Sequence, residues 1–318
     1  MASIISRREA GAVTEGSARD PRSVGGACGS ATVGSGRSQG GRSGETGEKG
    51  GAMVGLMGGA VLMLWLAGSE GSSFHAPDAT STFKIFLRWA HFVAGITWIG
   101  LLYFFNLVNV PFMQRLDPQT RGKVVPILMP RALWFFRWGA VVTVLVGLTY
   151  YAMYILHTEA QNAGIGTWGT LFKWLAVVVV TWAIIYALLQ PVSGALNKGS
   201  VLAVIVIALI LVMSWVIIRM LSGAGPTGET LGNKSLSIAL GGGYGIIMLL
   251  NVWGIIWRAQ KRIIAWTKES AEQGTPMPPE SAKLARRAFL ASRVNAWLSL
   301  PMLFFMGTSH GDYIWFAK

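Results

Sequence analysis

The sequence predicts an all-α, polytopic transmembrane helical bundle of about seven helices, N-terminus inside and C-terminus outside. Three observations predict it. Of 318 residues, 52% are hydrophobic and only 13% are charged, where a soluble domain of this size carries roughly 25% charged residues. Apolar runs of membrane-spanning length recur along the chain, a hydrocarbon core of about 30 Å needing roughly 20 helical residues. The Lys and Arg behind the formal net charge of +13 collect in alternate connections, as membrane topology produces. They form no continuous basic face of the kind that binds nucleic acid, so a nucleic-acid partner is not expected.

Residues 1–52 are rich in Gly, Ser, Thr and Arg and nearly free of large apolar side chains. Such a stretch cannot bury enough surface to offset the entropy of ordering. It is expected to be a disordered extension, or to precede a true start at Met53. The sole cysteine, Cys28, lies within it; a disulfide, a cysteine metal cluster or covalent haem attachment inside this chain is therefore excluded. Residues 53–318 then form the transmembrane domain. A first short run, Met53 to Ala67, is read as an anchored helix rather than a cleaved signal. Six full spans follow, approximately Phe83–Leu107, Leu133–Leu156, Trp168–Leu189, Val201–Leu221, Leu236–Trp257 and Phe289–Ser309.

Charge fixes the expected orientation. The connection after Leu107 holds Arg115, Arg121, Lys123 and Arg131, and the one before Phe289 holds Arg258, Lys261, Arg262, Lys268, Lys283, Arg286 and Arg287. Both are expected on the cytoplasmic side, with Ile263–Ala271 lying along the membrane surface. Ser69–Phe83 and His157–Thr167 have no Lys or Arg, and Gly223–Ser235 has only Lys234. These should face outward, which puts all four histidines, His75, His91, His157 and His310, in the outer half. Arg137 and Lys173, near span ends, are expected to snorkel.

Polar groups within spans are costly and should face another helix or a ligand. In the first full span Arg88, His91, Gly95 and Trp98 recur at steps of three or four and share a face. That face suits a b-type haem. A neutral imidazole supplies an axial ligand, a glycine one turn away admits a flat macrocycle, and Arg88 pairs a propionate. The bland alternative is a histidine bonded to a neighbouring helix with Gly95 serving packing. The last span carries a comparable stripe, Asn295, Ser299, Met302, Met306 and His310, around Pro301. His310 is the candidate second ligand, with Met302 or Met306 as alternatives that ordinary core filling also explains. Counted from the span ends, His91 sits roughly 10 Å deeper than His310. Gly241, Gly242, Gly243 and Gly245 in the fifth full span match no phosphate loop and indicate close helix packing.

Four segments in order, His91–Gly100, Arg131–Gly139, Gly245–Val252 and Asn295–Met306, resemble the membrane domain of the bacterial membrane-type urate oxidase (urate hydroxylase) family. The likeness runs from about Met53 to the C-terminus. The family pattern has a histidine just ahead of the glycines, where this chain has Ala239. The start of the first full span is also similar to the membrane haem proteins of protoporphyrinogen oxidation. The first resemblance implies a multi-pass protein of the bacterial inner membrane with an oxidoreductase role in purine catabolism. In that role urate is oxidised to 5-hydroxyisourate and electrons pass to a periplasmic cytochrome c. Because this chain ends at Lys318, that cytochrome is expected to be a separate protein.

The leading expectation is thus b-haem electron transfer, with His91 and His310 as metal ligands and Arg88, Gly95 and Trp98 around the cofactor. A non-catalytic membrane subunit or scaffold of a larger complex is the alternative. A transporter ranks lower, since no acidic residue sits mid-span to relay protons or cations.

Overall fold

The computed structural model describes residues 78–190, 198–310 and 315–316. Among them are six helices long and apolar enough to cross a membrane: α1 Ala79–Arg115, α2 Pro118–Asn162, α3 Thr167–Leu188, α4 Gly199–Leu221, α5 Asn233–Gln273 and α6 Glu280–Gly307. They correspond to the six full spans of the sequence. Met53–Ala67, the extension before it, Cys28 and His75 lie outside the described residues.

Local chemistry sets the ends of these helices. Asp78 caps α1, its carboxylate accepting from the backbone N–H of Thr80 and Ser81. Asp117 caps α2 by accepting from Thr120 N–H at 3.0 Å, with Pro118 in the first turn, where no N–H is required. α5 stops at Gly274, whose φ of 69° closes the last turn in the left-handed region, and prolines follow at 276, 278 and 279.

Two expectations about the basic connections are corrected. Residues 118–132 are helical despite Pro126 and Pro130, and α5 runs on through 258–273 as a continuation of its span. Tertiary packing overrides the local signals here. A Cβ built at Gly122 of α2 would lie 3.0 Å from Ala271 Cβ of α5, so the two extensions are held in close contact. Ile263–Ala271 is therefore a helix packed on α2, with Arg262 also paired to Glu280 at the head of α6.

Three of the long helices contain a π-helical turn, at Phe104–Asn109 in α1, Tyr151–Leu156 in α2 and Val252–Ile256 in α5. In α1 the cause is visible. Pro111 has no N–H, and the ladder shifts so that Val110 donates to Phe105, five residues back.

α5 is the centre of the bundle. About two thirds of its span is buried, against a third or less in every other helix. Lipid tails are as apolar as Leu, so packing contacts hold such a core together. The glycines of α5 set them. Gly241 and Gly245 face Met302 and Met306 of α6, Gly242 faces Trp174 of α3, and Gly243 faces Val178 of α3 and Met213 and Ile217 of α4. α1 packs along α2 and also touches α6. Leu102, Phe136, Leu240, Ile247 and Met248 fill the interior.

Candidate functional site

His91 lies half-buried between α1 and α2. Its Nδ1 is 2.9 Å from the backbone oxygen of Thr143. A carbonyl only accepts, so the neutral imidazole carries its proton on Nδ1 and leaves the Nε2 lone pair free. The ring rests on Gly147, one turn beyond Thr143, where a Cβ would come within 2.7 Å of Cε1 and 2.8 Å of Nδ1. Thr143 is fixed in turn, its hydroxyl donating to Gly139 O at 2.7 Å.

The other predicted residues of this face have distinct surroundings. Gly95 stands against Thr143, with its Cβ position 3.7 Å from Cγ2, so it serves the α1–α2 contact. Arg88 is exposed and in no ion pair with a described residue. Trp98 is 1% exposed, and its indole N–H is buried without a hydrogen-bond partner among the described residues. That orphaned donor lies two turns deeper than His91 on the same helix.

His310 follows the end of α6 and is exposed. Its Nδ1 is 2.7 Å from Ser309 Oγ and 3.2 Å from Met306 O, while the Ser309 hydroxyl donates to the same carbonyl. The proton is thus again directed to Nδ1, and Nε2 is left over. α1 and α6 are antiparallel. The hydroxyls of Tyr103 and Ser299 meet at 3.0 Å, and Asn106 donates to Ser292 Oγ at 2.9 Å. Carried upward, this register runs the His91 end of α1 toward the C-terminal end of α6.

Met302 and Met306 face the glycines of α5, and so fill the α5–α6 contact. His157 is engaged separately, its Nδ1 3.2 Å from Thr167 Oγ1 across the α2–α3 turn. No group of three or more His, Cys, Asp or Glu side chains gathers among the described residues. Two imidazoles alone do not complete a zinc shell.

A polar network deeper in the bundle was only half legible from the stripe on the last span. Asn251 and Asn295 are fully buried and bond side chain to side chain at 2.8 Å. Trp182 donates to Asn251 Oδ1 at 3.1 Å, and Asn295 donates to Met248 O at 3.0 Å. Both side-chain amide groups of this pair are engaged, so the network locks α3, α5 and α6 together.

Neither the curated proteins nor the solved structures give a match to this chain. The family model described as urate oxidase N-terminal matches residues 117–317. The match begins at the cap of α2 and takes in α2 to α6, with His310, the glycines of α5 and the Asn251–Asn295 pair inside it. On that match over more than half its length, this multi-pass helical membrane protein belongs to the urate oxidase N-terminal family.

Proposed function

We propose that this protein is an electron-transfer subunit of urate oxidation that binds a b-type haem between His91 and His310 and delivers electrons to a separate periplasmic cytochrome c. One observation carries the reading: two imidazoles from antiparallel helices, each with Nδ1 tied to a main-chain carbonyl and Nε2 without a hydrogen-bond partner among the described residues. A carbonyl that accepts from Nδ1 in this way fixes the tautomer and raises the basicity of the other ring nitrogen.

The residues present fit the group in part. His91 is oriented by Thr143 and seated on Gly147; His310 is oriented by Ser309 and Met306 O. The unpartnered N–H of Trp98 supplies a donor on the same face. Arg88 is free to pair an acidic substituent at the exposed edge. When bound, the haem supplies one-electron redox chemistry. The chain's own contribution is to orient the two imidazoles, His91 through Thr143 O and His310 through Ser309 and Met306 O.

The reading takes the histidine end of the bundle as periplasmic and the membrane as the bacterial inner membrane. Its support is the contrast between the connections at that end, poor in Lys and Arg, and the opposite end with Arg115, Arg121, Lys123, Arg258 and Lys261. Urate as donor rests on the family description. Anaerobic addition of urate to the purified protein is expected to reduce the haem, and then cytochrome c added to it, with both steps lost in His91→Ala. Haem that stays oxidised in urate, yet is reduced by dithionite, would remove urate from the account while leaving the cofactor.

A further inference from the structure

Arg137 lies one turn inside the apolar part of α2, where sequence reading expects a snorkelling side chain. It does not extend freely. Its guanidinium sits over the Trp257 ring of α5, 3.9 Å from the centroid, with the Trp253 ring at 5.6 Å. The Trp253 indole N–H donates to Arg137 O at 3.4 Å, which ties the two helices at this point. Aromatic faces stabilise a cation but accept none of its in-plane N–H bonds. Arg137 Nε is buried without a hydrogen-bond partner among the described residues, and neither ion pair found there involves Arg137. A permanent charge in an apolar span with an orphaned donor calls for an anion.

The surroundings say which anion. Trp138 meets Trp253 edge-on at 5.6 Å. With Trp134 and Phe135 of α2 and Trp89, Val93 and Thr97 of α1, it lines an open apolar groove of about 340 Å³. Exposed Arg131, Arg258 and Lys261 surround this end of the bundle. A basic collar, a planar guanidinium between tryptophans and an adjoining apolar lane together match an anionic head with a hydrocarbon chain.

We propose that Arg137, Trp253 and Trp257 form a binding site for the phosphate of an anionic phospholipid in the leaflet at the basic end, with an acyl chain along the α1–α2 groove. Free phosphate offers the same oxygens but nothing to fill the groove.

Native mass spectrometry of the detergent-purified full chain tests this by titration with phosphatidylglycerol and phosphatidylcholine. Wild type is expected to bind phosphatidylglycerol about tenfold more tightly than phosphatidylcholine. Arg137→Gln should abolish the preference, while Lys173→Gln, removing an exposed cation on α3 outside this site, should keep it. Equal binding of the two lipids by wild type overturns the proposal without any variant. So does a preference retained in Arg137→Gln, or displacement of bound phosphatidylglycerol by millimolar inorganic phosphate, which would mark a free-phosphate site.

Discussion

Gly147 is the residue on which the His91 imidazole rests, and the contact leaves no room for a methyl group. Gly147→Ala places a Cβ 2.7–2.8 Å from a ring already tied to Thr143. Overpacking of this kind costs about 1–3 kcal/mol. Thermal unfolding in detergent should show that loss, accompanied by loss of bound haem. Gly95→Ala, whose Cβ would meet Thr143 at an ordinary 3.7 Å, should be nearly neutral. The His91–Gly95–Trp98 face was legible because helical period alone sets it. The seat at Gly147 was not, because it depends on the register of α1 against α2, which spacing within one helix does not contain. A second residue-scale expectation concerns Asp117. Hydrogen bonds from Thr120, its hydroxyl first and its N–H next, hold the Asp117 carboxyl below its ordinary value. A depressed carboxyl stabilises the fold above the unfolded-state value, about 3.9, and the contribution is lost as pH falls through the folded value. Protection of the Thr120 amide against hydrogen exchange, taken relative to its intrinsic rate at each pH, should therefore fall on acidification below pH ~4. In Asp117→Asn, which caps without titrating, that dependence should vanish.

Among the helices, α5 is the packed centre. The Asn251–Asn295 pair joins it to α6, and Trp182 joins it to α3. Removing one member strands buried polar groups, so Asn295→Ala should destabilise by about 1–3 kcal/mol, toward the low end if other partners are found within the membrane. Denaturant unfolding in mixed micelles measures it, and Trp182→Phe, which removes a single donor, should cost less. Gly241 is the backbone counterpart. Its Cβ would lie 3.1 Å from Met302 O, an atom unable to rotate away, so Gly241→Ala should loosen the α5–α6 contact. The polar stripes on α5 and α6 could be read from hydropathy, since buried polar residues at helical spacing must face protein. Their partnership could not, because several pairings satisfy the same periodicity. Helix ends were the least legible feature. The basic segments 118–132 and 258–273 read as connections because charge and proline dominate them locally, yet contacts such as Gly122 with Ala271 keep them helical.

For the whole molecule, the spans were legible because the bilayer imposes a length and a composition that few soluble elements share. Orientation is a further inference from charge, and it has its own test. Single cysteines at Gly166 and Gly274, in a Cys28→Ser background, should react oppositely with an impermeant maleimide applied to intact cells, Gly166→Cys labelled and Gly274→Cys protected. The reverse pattern would turn the histidine end inward and separate it from any periplasmic acceptor. The haem itself is tested most directly by a reduced-minus-oxidised visible spectrum of the detergent-purified protein from haem-replete cells, with pyridine haemochrome quantitation. A near-stoichiometric b-type signal is expected, lost in His91→Ala and lost or shifted in His310→Ala; a colourless wild-type protein would rule out haem binding.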